Sequence, residues 1–255
     1  MIKSKANKKK TGLSGFVWAH GGAGIYGDAI TDNGGLSNLA TLNDVVCFNV
    51  NYRLAPEHKS PAGAKDCIAT LKYVIENCKK YGVNPEQVAM GGSSGGGYVT
   101  MVASILLARD KKASLVKTLI LVAPMLGRNL EDEPEHLVPS WEKSYVNSLP
   151  YNLLVDDFET MNAKRDPILY PFHISDKEAK LLPKTVLFTS EFDWMRRDTH
   201  RLIPKLKRAG VYLDHADYAG SAHYSYMVNI MDPNFKLHQK DMQLVFKKYV
   251  KGQNE

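Results

Sequence analysis

Cysteine is scarce in this chain, and the few present are badly spaced for any bonded role. Cys47, Cys67 and Cys78 are all there are, with no C-x-x-C pair of the kind that marks a zinc or redox site. On one expected helix Cys67 and Cys78 would stand about 16 Å apart at roughly 1.5 Å rise per residue, too far to bridge. A reducing compartment is therefore expected. Also missing is any run of about 18 consecutive apolar residues, so nothing reads as a membrane span. The basic start is not followed by the apolar stretch of a secretory leader. There is no H-E-x-x-H, no tight carboxylate cluster, and no Gly-Lys-Ser/Thr closing a glycine loop. These absences imply a soluble, cytoplasmic protein with no metal, no cofactor and no membrane anchor.

Positive charge is concentrated in one place. The formal charge is +6, but Lys3, Lys5, Lys8, Lys9 and Lys10 supply +5 of it within ten residues. The other 245 residues carry about +1, so no basic face for nucleic acid is expected. Residues 1–14 read as a solvated, disordered basic tail. Hydrophobic residues make up 44% and charged residues 24%, ordinary values for a globular chain with a real core.

What is present is an alternation of apolar runs and helical periodicity. Gly15–Ala19, Asp44–Asn51, Thr118–Val122, Thr185–Thr189 and Val211–Tyr218 read as strands, several apolar without a break as in a parallel sheet buried on both faces. Between them Cys67, Ile68, Leu71, Val74, Ile75 and Cys78 recur at helical spacing, with Ser60-Pro61 as the expected helix start and Gly82 beyond its end. A helix is read from about Tyr98 to Ala108, another opened by Asp198 and closed before Gly210, and a last one over about 233–250. Strands alternating with helices point to an α/β fold with a mostly parallel sheet. The stretch 127–182, rich in acids, prolines and aromatics such as Trp141, Tyr145, Tyr151, Phe158, Tyr170 and Phe172, has no strand pattern.

The chain is organised around Gly92-Ser93-Ser94-Gly95-Gly96. This is G-x-S-x-G, a strand-turn-helix that exposes a serine hydroxyl on a strained bend. Gly92 and Gly96 have a steric reason, because the positions two before and two after that serine come too close for a Cβ. A serine nucleophile needs a base, and the base needs an orienting carboxylate. In a parallel α/β sheet such groups sit on loops at the carboxyl ends of strands. His223 lies directly after the last strand, whereas His215 falls inside it and His58, His136, His173, His200 and His238 follow no strand. Asp193 comes right after Thr185–Phe192, with Glu191 and Asp198 as competing acids. The order Ser94, Asp193, His223 is that of an α/β-hydrolase triad. Oxyanion donors are expected from the backbone N–H groups of Gly95, Gly21 and Gly22, with His20 pinning the loop that carries the latter two.

Five motifs in order carry a resemblance: His20–Ala23 (HGGA), Asn51–His58 (NYRLAPEH), Gly92–Gly96 (GSSGG), Glu191–Asp193 (EFD) and Gly220–His223 (GSAH). The chain from about Gly15 onward resembles the hormone-sensitive-lipase group of α/β-hydrolases, which includes arylacetamide deacetylases and small carboxylesterases. The resemblance implies an α/β-hydrolase fold over residues 15–252 with a small inserted cap at about 127–182. It implies a serine carboxylesterase that cleaves short- or medium-chain acyl or aryl esters of small molecules through an acyl-enzyme. In that scheme Tyr52–His58 is a structural loop, and the aromatics of 127–182 form cap and pocket or simply pack the cap onto the domain.

Several positions depart from the group's pattern. Ser93 stands where an acid or similar polar residue is usual, and Gly95 where a small side chain is. Trp194-Met195 replaces Pro-Leu after the acid, and Tyr224 replaces Gly after the histidine. The group also carries roughly 70 more residues before its HGG strand. Their lack here predicts a strand Val45–Val50 at the sheet edge and a fragment or a homodimer that hides this edge. The bland alternative is a catalytically impaired or ligand-binding derivative of the fold. A second rival, the dinucleotide fingerprint G-x-G-x-x-G at Gly22–Gly27, lacks the acid at the end of the next strand that would hold a ribose.

Overall fold

Consecutive apolar residues in the strands point to opposite faces of one sheet, and each face finds its own helical layer. The computed structural model describes residues 1–127 and 151–253. Its strands are β1 (Leu13–Ala19), β2 (Val45–Val50), β3 (Val83–Ser93), β4 (Leu119–Val122), β5 (Thr185–Phe192) and β6 (Tyr212–Ala222). They form one sheet in the order β2-β1-β3-β4-β5-β6, and every neighbouring pair is parallel. The main helices are α1 (Asn33–Leu42), α2 (Ala62–Glu76), α3 (Cys78–Tyr81) and α4 (Gly95–Arg109). After the undescribed stretch come α5 (Tyr151–Leu154), α6 (Phe158–Ala163), α7 (Asp176–Ala179), α8 (Arg196–Arg208), α9 (Ser225–Val228) and α10 (Phe235–Val245). Among the described residues no helix is long and apolar enough to cross a membrane.

The period of two along each strand sorts the core into two clusters. Val17, Val46, Phe48, Met90, Leu119, Leu121 and Leu187 pack against α2, α4 and α8 on one side. Phe16, Trp18, Val45, Cys47, Ile120, Val122 and Phe188 pack against α1, α9 and α10 on the other. Helix α4 is buried almost along its whole length, which fits its near-continuous apolar sequence. Parallel strands covered on both faces put all the βα loops at one end.

Strand β2 stands at the sheet edge, as its position in the order requires. The basic start, expected to be solvated and without order, is described along this edge. Ile2 exchanges both backbone hydrogen bonds with Cys47, at 2.8 and 2.9 Å. The Asn7 side chain donates to the Asn43 carbonyl at 3.0 Å, and Lys10 pairs with Asp44 at 2.9 Å.

Two local expectations are corrected. Ser60 does not cap α2: Pro61 occupies the cap position and α2 starts at Ala62, while the Ser60 N–H is taken by the Leu154 carbonyl at 2.6 Å. Asp198 does not open α8 either. The helix starts at Arg196, which leaves Asp198 in the first turn. Trp141 and Tyr145 lie outside the described residues. Of the other aromatics of that stretch, Tyr151 and Tyr170 are buried, and Phe158 and Phe172 pack half-buried against the core.

Candidate active site

The bend between β3 and α4 holds Ser94 at φ 52°, ψ −118°, a backbone conformation that only a strained turn imposes on a side chain with a Cβ. Its cause is visible in the flanking glycines. A Cβ on Gly92 would lie 2.4 Å from the Gly96 backbone, and one on Gly96 would lie 2.0 Å from the Ala19 carbonyl oxygen. Only hydrogen fits at either position, so the chain can turn sharply against the end of β1.

Ser94 is met by residues from two other strand ends. His223 follows β6, and its Nε2 lies 2.8 Å from Ser94 Oγ. Asp193 follows β5, and its Oδ2 lies 2.9 Å from His223 Nδ1, with the aspartate side chain fully buried. The other carboxylate oxygen, Oδ1, accepts the Met195 N–H at 2.9 Å, so the acid is held by the chain that turns into α8. The competing acid Glu191 is engaged elsewhere, its Oε2 accepting the Gly220 N–H at 2.8 Å.

The loop after β1 closes over the start of α4. A Cβ on Gly95 would sit 2.4 Å from the Ala23 nitrogen and 2.6 Å from the Gly24 nitrogen, and one on Gly21 would sit 3.5 Å from Ser94 Cβ. Gly22 has φ 120° and would drive a Cβ into the Tyr26 carbonyl oxygen at 2.0 Å. The loop that carries Gly21 and Gly22 thus packs against Gly95, with Gly21 beside Ser94, while the contacts of Gly22 are with Tyr26. The loop is fixed from behind by His20, fully buried, whose Nδ1 lies 2.7 Å from the Gly21 carbonyl oxygen and whose ring stacks on Tyr52 at 4.4 Å. The Tyr52 hydroxyl in turn donates to the His20 carbonyl at 2.8 Å. Burial pushes that phenol's pKa well above its ordinary value, so it remains a donor. This glycine stretch does not open a helix: α1 begins only at Asn33, which removes the dinucleotide geometry.

A family model described as the alpha/beta hydrolase fold matches residues 16–227. The chain belongs to the α/β-hydrolase fold family. An arylesterase from Saccharolobus solfataricus is 29% identical over 206 residues, which is 80% of this chain and 65% of that protein. This chain thus spans slightly less than two thirds of that relative's length. Arylacetamide deacetylase of Oryctolagus cuniculus is 26% identical over 267 residues, 82% of this chain and 67% of that protein. Among solved structures, an esterase from Pyrobaculum calidifontis matches with a TM-score of 0.78 at 25% identity, over 95% of this chain and 79% of that one.

Within this α/β-hydrolase the unusual residues are gathered at the histidine. Trp194 stacks on the His223 ring at 5.5 Å, and Tyr224 meets it edge-on at 4.9 Å. Tyr224 itself has φ 38°, and its hydroxyl lies 3.2 Å from where a Gly21 Cβ would be. Burial, with Asp32 nearby, raises the pKa of that phenol. A residue that sequence reasoning missed is Asp32. It is fully buried, and its Oδ2 accepts from both Trp18 Nε1 at 2.8 Å and Ser93 Oγ at 2.7 Å. No local pattern marks it, because Thr31-Asp32-Asn33 reads as turn chemistry.

Proposed function

We propose that the chain is a serine carboxylesterase that cleaves esters of short or medium acyl chains, or of aryl alcohols, through an acyl-enzyme. The observation that carries this reading is the chain of contacts from Ser94 Oγ to His223 Nε2 at 2.8 Å and from His223 Nδ1 to Asp193 Oδ2 at 2.9 Å. His223 takes the Ser94 proton as Oγ attacks the ester carbonyl carbon. The carbonyl π electrons move to oxygen, and the N–H groups of Gly21, Gly22 and Gly95 receive that oxyanion. Collapse expels the alkoxide, which takes the proton from His223 and leaves as the alcohol. Water then repeats the sequence on the acyl-enzyme, giving up its proton to His223, and the acid leaves as Ser94 is reprotonated. Asp193 keeps His223 in the tautomer and orientation these transfers need. The arylesterase and deacetylase relatives support the substrate class, and the position of β2 at the sheet edge supports a homodimer through that side, which light scattering would test.

The deciding experiment is hydrolysis of p-nitrophenyl acetate, butyrate and octanoate by the purified chain beside its Ser94→Ala and His223→Ala variants. Each variant is expected to lose about 10⁴ to 10⁶ in rate, as other serine triads do. Equal turnover in either variant would overturn the assignment. A folded chain with no turnover at all would replace it with a ligand-binding derivative of the fold.

A further inference from the structure

The alternation along β6 places His215 and Asp217 on the same face of the sheet, two residues apart. That face is the one covered by α8, and α8 contributes His200 to the same spot. Thr189 on β5 is the register partner of Asp217 and lies beneath them. A ring nitrogen of His200, one of His215 and a carboxylate oxygen of Asp217 all fall within 4.8 Å of one another. His200 Nε2 is 3.5 Å from Asp217 Oδ2, close to the separation of about 3.4 Å between two ligands of a tetrahedral ion with bonds of about 2.1 Å. The two imidazole rings stand nearly perpendicular, 86° apart with centroids at 5.0 Å, so their ring edges converge rather than stack.

We propose that His200, His215 and Asp217 form a site for a borderline divalent transition cation, with Zn²⁺ as its representative. Two imidazoles and one carboxylate select Zn²⁺, Co²⁺ or Ni²⁺ over Mg²⁺ and Ca²⁺, which want oxygen ligands. The supporting groups are in place: Thr189 donates to Asp217 Oδ1 at 2.9 Å, which orients the carboxylate and leaves Oδ2 for the ion, as an outer-shell partner does. The partly exposed His200 and Asp217 provide the way in. Binding requires Nε2 of both rings to be free of a proton, and His215 Nε2 must give up its 2.7 Å contact with Thr189 Oγ1. Arg196, one helical turn before His200, now holds Asp217 as an ion pair. The guanidinium therefore occupies the carboxylate in competition with the cation.

An ion held there would tie α8 to β6. These two elements flank the candidate triad: Asp193 lies three residues before α8, and β6 runs directly into His223. Occupancy would stiffen the pairing of the two loops that bring acid and base together. The sequence hides the site, because its ligands come from a helix and a strand and form no spaced motif.

The test is isothermal calorimetry of ZnCl₂ into the full chain, purified without a polyhistidine tag, with Co²⁺ absorption as a second readout of imidazole ligation. One-to-one binding is expected, weakened by about tenfold or more in His200→Ala and in His215→Gln. Arg196→Gln should tighten binding several-fold by releasing Asp217. The melting temperature should rise with Zn²⁺ concentration in the wild type and not in His200→Ala. The proposal is overturned if neither the wild type nor Arg196→Gln shows saturable binding. It is equally overturned if Zn²⁺ binds with an affinity that both histidine variants leave unchanged. Calorimetry reads binding whether or not the chain hydrolyses esters, so the two proposals stand or fall separately.

Discussion

Ser93 Oγ donates to Asp32 Oδ2 at 2.7 Å, so the residue just ahead of Ser94 is fastened to a buried acid from the loop before α1. In the resembling hydrolases an acid or similar polar residue stands at the Ser93 position. Here a hydroxyl stands at that position and donates to the buried carboxylate of Asp32. Ser93→Ala should cost about 1–3 kcal/mol, because a buried carboxylate loses one of its two donors. Ser93→Asp should cost more, since it sets two buried carboxyl groups against each other. Ser93→Asp combined with Asp32→Ser should recover most of that loss. Urea unfolding of the three variants checks this, and a Ser93→Asp chain as stable as the wild type would refute this account of the contact.

Gly95 stands where the resembling hydrolases carry a small side chain, and the packing gives its bareness a meaning. The Ala23 nitrogen lies 2.4 Å from where a Gly95 Cβ would be, so the loop after β1 occupies the space a side chain would fill. Both obstacles, from Ala23 and Gly24, are backbone and cannot rotate away. Gly95→Ala is expected to push Ala23 and Gly24 outward and to spoil the donor geometry, lowering kcat by about 10² to 10³. Overpacking should cost about 1–3 kcal/mol of stability as well. Steady-state kinetics beside thermal melting separates the two effects. Unchanged kcat in the Gly95→Ala variant would show that this loop does not shape the oxyanion site.

The parts of this architecture that were legible in the sequence are those whose signal is local. Ser94, Asp193 and His223 each follow an apolar run that makes a strand, and the steric demand of the elbow shows directly in Gly92 and Gly96. Helix α1 was not legible, since it opens with Asn33-Gly34-Gly35, among the poorest helix formers. Its reason is tertiary: a Cβ on Gly35 would lie 3.0 Å from the Met227 carbonyl oxygen, so glycine lets α1 approach the chain beyond His223. Asp32 is silent for the same reason, its partner lying 61 residues away. Trp194 and Tyr224 stood out as departures, yet only the fold shows that both pack on the His223 ring. Strand β6 runs on to Ala222 because Phe192 on β5 pairs with it, which no periodicity in residues 219–222 announces.

The three thiols should differ in reactivity. Cys47 and Cys67 are fully buried, and burial pushes the Cys47 thiol up to about 12 and raises that of Cys67 as well. The thiolate is the reactive form, so neither should react in the folded chain. Cys78 is only partly buried. Titration with a disulfide reagent is expected to find one accessible thiol in the native protein and all three after denaturation. Three rapidly reacting thiols in the native state would mean that the β2 edge and the underside of α2 open readily.

Stability should depend on acid through His238. Its ring is buried between Phe188 and Tyr226 at 5.0 Å from each, with Nδ1 3.2 Å from the Tyr218 hydroxyl. Burial lowers its pKa from 6.5 to about 3, because the charged imidazolium cannot be solvated there. The unfolded chain takes up a proton at this residue below pH 6.5, whereas the folded chain does not until about pH 3. The unfolded state thus binds more protons across that window, and folding stability falls as pH drops through it. The contribution is fully present above pH 6.5 and is lost progressively toward pH 3, at up to about 1.4 kcal/mol per pH unit. Buried carboxylates elsewhere add a loss of their own at the acid end, so the comparison must be made against a variant. His238→Gln should flatten the fall between about pH 6 and pH 4 by that amount per unit, measured by urea unfolding at several pH values. Parallel stability curves for wild type and His238→Gln would mean that the ring is protonated in place, with Asp232 close enough to hold the charge.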